Sequence, residues 1–588
     1  MAARVSGRRR ATGRRGGGLR SLTRAAARGG GVAGGSGVDG RIRLLRFVFI
    51  VFLVLVGGKA VALASSSENL TRIALRQQMA SVVLPAPRGA IVDRNGRELA
   101  VGKPAKTVFA TPYLLDDPKA AAVALCKALL ITKRRERRDL EKALAQTGSG
   151  RGFAYVARMV DPVLAKAALA LDLPGVGAYD EEERSYPMKG SAAQVLGFVG
   201  IDGDGLEGVE LGYNKQLAGV AGSEDIVRDP AGHALRTVSE TPPVSGQTVR
   251  LTLDEDIQYT AEDVLEHTLR SSSAAAATAI VMDPRTGEIL AMANVPKVEG
   301  NVFGHKRAFE RNRCVTDIYE PGSIFKLVTI SGALADGLVK PTTRFSLPPT
   351  LTLYDRTINE SHERGTVTYS VREILQWSSN VGAVKIGMMM GKDRLMKWMD
   401  AFGFARPTGV GFPGEAAGLV PPADQWSGTT IINVPMGQGI AVTPLQMAAA
   451  FSTVANNGMA VTPRLIAQVG DTVYDEVEQH RVISASAARD VRSMLATAVA
   501  KGTGAKAQIP GYEVAGKTGT AEKAMPTGGY SQTDYVASFI GMVPAAHPRL
   551  VVLVAVDSPR TSIYGGDIAA PAVQKIMRFA LQHLEIAP

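Results

Sequence analysis

The longest apolar stretch of the chain is Leu44 to Leu63, LLRFVFIVFLVLVGGKAVAL, broken only by Arg46 and Lys59. At ~1.5 Å per residue a helix of this length covers the ~30 Å hydrocarbon layer of a bilayer. Both cations sit near its ends, where long side chains reach back to the headgroups. The run is long for the apolar part of a signal peptide, and no small-x-small cleavage site directly follows its shortest apolar core. It therefore reads as a retained single-pass anchor over 44–64. Residues 1–43 are Gly, Arg and Ala with few large apolar side chains, which predicts a disordered tail. Residues 65–82 are polar with spaced apolar positions, which predicts a helix leaving the membrane.

Further along, the period of the pattern changes. Asn95-Gly96 between two apolar-containing runs predicts a hairpin with a type I′ turn. GVELGYNKQL (208–217) reads as a short helix. Pro, Ser and Gly cluster at 241–249 and suggest a boundary. Residues 252–270 carry helical spacing with acids at the start, and 278–293 form two β-rich runs around a turn. Residues 535–543 and 550–556 read as strands, and 568–584 as a closing helix. This order predicts an α+β fold with a sheet built from both ends of the C-terminal domain. The expected organisation is a tail (1–43), a transmembrane helix (44–64), a spacer or interaction domain (65–245) and a larger C-terminal domain (246–588).

Charge changes the picture in one respect. The formal net charge is +12, but residues 1–46 alone hold twelve Arg and one acid, Asp39. The other 542 residues hold 55 bases and 54 acids, so the basic pI belongs to the tail and gives no reason to expect a nucleic-acid partner. The same Arg excess places the tail in the cytoplasm and the rest outside the cell membrane. Cys126 and Cys314 make no C-x-x-C pair and read as buried free thiols, with a disulfide left open. The seven His residues show no metal-ligand spacing, so no metal or other cofactor is expected.

Three short motifs carry the candidate chemistry. In YEPGSIFKLVTI, Ser323 follows Pro-Gly at a predicted helix start, where free N–H groups favour an oxyanion. Lys326, three residues on, shares its face and can act as base if burial lowers its pKa. In QWSSNVG, Ser378 is suited to relay a proton and Asn380 to position Lys326 or a substrate amide. In VAGKTGTAEK, Lys517, Thr518, Gly519 and Thr520 end a short predicted strand. Gly519 would let a substrate backbone pair with that edge, and Lys517 with the two threonines would hold a carboxylate. The motifs start 55 and 139 residues apart.

S-x-x-K, S-x-N and K-T-G in this order mark penicillin-binding proteins and related serine β-lactamases. With RGAIVDRNGRELA, MDPRTGEILAMAN, MGQGIAVTPLQ and FIGMVP, the chain resembles the class B penicillin-binding proteins of the cell-division transpeptidase (FtsI-like) type over about residues 40–588. The resemblance implies a penicillin-binding, serine β-lactamase-like domain on an elongated pedestal. It implies a D,D-transpeptidase that cross-links peptidoglycan stem peptides through a Ser323 acyl-enzyme and is trapped by β-lactams. It also implies septal partners, a SEDS-type (FtsW-like) glycosyltransferase and other divisome proteins. Ile324 stands where the family usually has Thr, and Cys314 where Ala is common. Two alternatives remain at this point: a D,D-carboxypeptidase or β-lactamase-like hydrolase that passes the acyl group to water, and a non-catalytic β-lactam-binding scaffold.

Overall fold

The computed structural model describes residues 37–65, 79–145, 152–228, 234–298, 301, 311–354, 356–525 and 528–588. Residues 1–36 of the expected tail and 66–78 of the expected exit helix lie outside them.

The N-terminal unit contains α1, Gly37–Ser65, which starts seven residues before the predicted span. Within Gly40–Ala64 the most apolar 18-residue stretch has a mean hydropathy of 2.6, and the helix is long and apolar enough to cross a membrane. Phe47, Phe49, Leu53 and Leu55 all point outward, the exposure lipid would cover.

The next described element is β1 (Met79–Leu84), a strand where a helix was expected through residue 82. In the pedestal, β2 (Ile91–Val92) turns into β3 (Glu98–Ala110) at the expected hairpin. The turn is not type I′. Asp93 O accepts from Gly96 N at 3.1 Å, and Gly96 is left-handed at φ +87° whereas Asn95 is not. The Asp93 carboxylate selects this geometry by accepting from the N–H groups of Asn95 and Arg97, both at 2.8 Å. β4 (Val176–Ser185) pairs along β3 from Ala110 to Val101. The expected 208–217 helix is two short pieces, Gly208–Gly212 and Asn214–Leu217, broken at Tyr213.

Past Thr241, β5 (Val249–Leu251) leads into α2 (Glu255–Ser272), capped by Asp254 on the N–H groups of Asp256 and Ile257. The hairpin β6 (Ala276–Met282) and β7 (Ile289–Val295) follows, as its pattern predicts. Next come α3 (Lys326–Ala335), α4 (Asn380–Ala401), α5 (Pro444–Ala455), β8 (Ile466–Val469) and α6 (Ala485–Lys501). The chain closes with β9 (Ala515–Ala524), β10 (Tyr530–Val543), β11 (Leu550–Asp557) and α7 (Gly565–His583).

The central antiparallel sheet runs β7-β6-β11-β10-β9, with strands from both ends of the domain. Alternation along β11 sends Val551 and Leu553 into one core with α3, α4 and α6. It sends Val552 and Val554 into a second core with α2 and α7. Both faces are covered, so LVVLVAV is apolar throughout instead of alternating.

The Pro/Ser/Gly stretch at 241–249 is not a free linker. β5 lies parallel to β2 on one side and antiparallel to β8 on the other, so one sheet joins pedestal and catalytic segments. A third core joins Ile91, Leu99 and Val195 to Ile280, Met292 and Leu445. Folding this junction links the two parts energetically, since their apolar surfaces are buried together.

Candidate active site

Ser323 sits in a short 3-10 turn, Gly322–Phe325, that runs directly into α3. The turn, not the α-helix itself, presents the serine. It is held from two sides by glycine contacts. Gly322 is left-handed at φ +54° and donates its N–H to Gly437 O at 3.0 Å. On the other side β9 passes so close that a Cβ on Gly519 would lie 2.3 Å from Ser538 Oγ and 3.1 Å from Ile324 Cγ2. Gly519 thus lets β9 lie against the serine turn, a different reason for glycine from the expected approach of substrate. Lys517, Thr518, Gly519 and Thr520 are also not at a strand end. They lie in the middle of ten-residue β9, which is an edge strand of the central sheet.

Lys326 points into the protein and is fully buried. Its Nζ donates to Ser378 O at 2.6 Å and to Asn380 Oδ1 at 2.7 Å, and lies 3.3 Å from Ser378 Oγ. Lys517 is equally buried and donates to Ser378 Oγ at 2.9 Å and Thr518 O at 3.0 Å. Two amines from two different elements therefore meet on one hydroxyl. Among the described residues no carboxylate contacts either amine. Burial pushes the Lys326 amine down to about 7, and the charge of Glu360 partly opposes it. Burial pushes Lys517 far below its ordinary value, and Lys326 adds to that shift.

Ser378 is left-handed at φ +58°, a costly conformation for a non-glycine residue. It turns the chain between a short helix, Val371–Gln376, and α4. Asn380 starts α4, with its Nδ2 donating to Asn359 O at 2.9 Å, so its Oδ1 faces Lys326. Thr518 Oγ1 is 2.9 Å from Thr503 Oγ1, and Thr520 Oγ1 accepts from Gly565 N at 3.4 Å. Ser323, Ser378, Asn380, Thr518 and Thr520 all line one cleft of about 590 Å³, whose rim includes Arg356, His362, Lys506 and Tyr564. Lys326, Lys517 and Gly519 lie behind this lining, beneath the residues that face the opening.

The structure thus brings all eight sequence-predicted residues to one place. It adds Asn359, Glu360 and Thr503, which no short motif announces. An acid twenty residues before Asn380 has no recognisable period, and only the fold returns it to α4. The two departures from the family pattern face inward: Ile324 enters the first core, and the Cys314 thiol lies near the carbonyls of Ala279 and Ala293. Both cysteines are free and buried. One group with metal-ligand spacing occurs among the described residues, Asp254, Asp256 and His583, at the ends of α2 and α7. Its members already serve the protein: Asp254 caps α2 and pairs with His583, and Asp256 pairs with Arg97.

Comparison with known proteins agrees with this geometry. The penicillin binding protein transpeptidase domain matches residues 277–578, and the penicillin-binding protein dimerisation domain matches 83–251. A probable peptidoglycan D,D-transpeptidase, PbpC of Pseudomonas aeruginosa, is 33% identical over 560 residues, covering 93% of this chain and 96% of that protein. The peptidoglycan D,D-transpeptidase FtsI of Escherichia coli is 34% identical over 512 residues, covering 85% and 84%. Penicillin binding protein 3 of Mycobacterium tuberculosis, crystallised with aztreonam, superposes with a TM-score of 0.67 at 30% identity, covering 86% of this chain and 98% of that one. With a two-domain fold, an apolar N-terminal helix and this site, the chain belongs to the class B penicillin-binding proteins, the FtsI-like peptidoglycan D,D-transpeptidases.

Proposed function

We propose that Ser323 is the nucleophile of this transpeptidase and Lys326 its base. The observation that carries the assignment is the meeting of two buried amines on Ser378 beneath a cleft that Ser323 lines. With burial pushing its amine down to about 7, Lys326 is neutral in a large fraction of molecules at neutral pH and can take a proton. Lys326 accepts the Ser323 hydroxyl proton as Oγ attacks the carbonyl carbon of the penultimate D-Ala of a stem peptide. The backbone N–H groups of Ser323 and Thr520 receive the oxyanion. The C–N bond then breaks, and the departing D-Ala amine takes the proton that Lys326 accepted, relayed along the Ser378 hydroxyl, which leaves Lys326 neutral again. An amine of a second stem attacks the ester, its proton returns to Ser323 through Lys326, and the new amide is the cross-link. Thr518 and Thr520 hold the terminal carboxylate, with the strand edge at Gly519 beside the peptide. A β-lactam enters the same path and stops at the ester.

We also assign the tail to the cytoplasm and the catalytic domain to the far side of the membrane, because the Arg excess precedes α1. A division of the exported part at about residue 245 follows the change of pattern there. Partners of the FtsW-like and divisome type fit a septal role for the pedestal.

Labelling with a fluorescent penicillin, wild type against Ser323→Ala, tests the core of this reading. The wild type is expected to form a covalent adduct at Ser323 and the variant none. A wild-type adduct on another residue, or equal labelling of the variant, refutes it.

A further inference from the structure

Glu360 lies in the segment that precedes α4 in space, with its side chain 6% exposed. Both carboxylate oxygens are occupied. Oε2 accepts from the backbone N–H of Asn380 at 2.8 Å. Oε1 accepts from Ser379 Oγ at 2.6 Å and from Val381 N at 3.3 Å. The Arg364 guanidinium closes the arrangement with a contact to Oε1. The neighbouring carbonyl, Asn359 O, holds the Asn380 amide in the orientation that presents Oδ1 to Lys326.

We propose that Glu360 is a positioning residue for the acyl-transfer reaction, fixing the start of α4 so that Ser378 and Asn380 hold Lys326 and facing Lys326 with its negative charge. The proposal rests on the assignment of Lys326 as base. It explains how a left-handed serine is maintained next to two buried amines. Ser378 has no freedom to relax toward ordinary backbone because the following residues are tied to a carboxylate by three hydrogen bonds. It also explains a buried acid that contacts neither lysine. Four kinds of group surround the base: the Lys517 amine from β9, the neutral Ser378 and Asn380, the Glu360 carboxylate, and Arg364 beyond it. Glu360 offsets part of the burial penalty on a protonated Lys326, and Arg364 pairs with Glu360.

A scaffold acting only through shape and a carboxylate acting also through charge differ in the pH profile of acylation. The acid limb of that profile reports Lys326 losing its proton. Glu360→Gln keeps an acceptor oxygen but removes the charge, so the limb moves to lower pH by about half a pH unit while the plateau rate falls roughly tenfold. Arg364→Met leaves the carboxylate without its cation, so the limb moves to higher pH. Glu360→Asp returns the limb toward the wild-type position. The measurement is the rate of fluorescent-penicillin acylation of the full chain in detergent, from pH 5 to 9, with thermal unfolding of each variant alongside. Limbs that coincide with wild type, or that move in the same direction in Glu360→Gln and Arg364→Met, overturn the proposal. If Glu360→Gln does not fold, the upward shift in Arg364→Met decides alone. A wild type that never labels at Ser323 would refute the assignment of the site, a result distinct from wild-type acylation with immobile limbs.

Discussion

Two regions of this protein bury charge completely and treat it in opposite ways. In the pedestal, Glu210 receives Arg88 at 2.6 Å and Arg184 at 2.7 Å, with all three side chains under 10% exposed. Arg88 also reaches Asn214 Oδ1, and Arg184 reaches Gly89 O. In the catalytic domain, Lys326 and Lys517 are just as buried, yet their contacts are hydroxyls, carbonyls and an amide. A buried charge with a counter-ion stays charged and fixes geometry. A buried amine without one gives up its proton. The first arrangement holds the 89, 184 and 210 segments together. The second leaves two amines close to neutral beside a serine, the state an acyl transfer needs.

The largest effect that would sharpen this contrast is on rate. Lys326→Met keeps the volume and removes the amine, so acylation by a fluorescent penicillin should fall about a thousandfold or more. Its thermal midpoint should not fall, because the removed group was an uncompensated buried base. A Lys326→Met protein that melts well below wild type would mean that the amine is structural after all. Glu210→Gln is the opposite case. It leaves two guanidiniums buried without an anion and should cost about 3 kcal/mol of stability, read from urea unfolding. The fraction that remains folded should acylate at the wild-type rate. Slow acylation in that folded fraction would break the separation between the two regions and show that the pedestal ion pairs act on the cleft.

The two regions were not equally legible in the sequence. Ser323 and Lys326 are one turn apart, and Lys517 to Thr520 are contiguous, so local spacing exposes them. The α+β order and the strands at 535–543 and 550–556 were legible for the same reason, since period and apolar runs are local properties. Glu210, Arg88 and Arg184 are 26 to 122 residues apart, and nothing local distinguishes them from surface charges. Glu360 is hidden likewise, being meaningful only after α4 packs beside it. The stretch at 241–249 hid its strand pairing for a related reason. Its Pro, Ser and Gly mark a change of pattern, but β5 pairs on both sides immediately after. The turn at residues 93–96 shows a smaller version: Asn-Gly suggests one turn type, and the Asp93 side chain selects another.

A smaller effect would test the same rule on a second set of buried groups. Glu255 and Glu262 lie on α2 beside the pedestal residues Ser191 and Ala192. Each has one carboxylate oxygen without a hydrogen-bond partner among the described residues, and Lys297 is 3.9 Å from that of Glu262. Burial pushes both acids up to about 7, while the N–H of Ala192 and the amide of Gln258 pull Glu262 back only in part. Their folded pKa exceeds the unfolded one, so their contribution is complete below pH ~4.5 and is lost as pH rises through about 7. Lys326 has the reverse sign. Its folded pKa of about 7 lies below the unfolded 10.5, so stability is gained as pH rises from 7 to 10.5. Glu262→Gln should therefore gain on wild type by about 1–2 kcal/mol between pH 4.5 and 7 and hold that gain at higher pH. Lys326→Met should show its full gain below pH 7 and lose it toward pH 10. Urea midpoints at pH 5, 7 and 9 read both differences. Parallel slopes in the two variants would mean that the acids at the junction and the amines in the cleft do not follow from one desolvation rule.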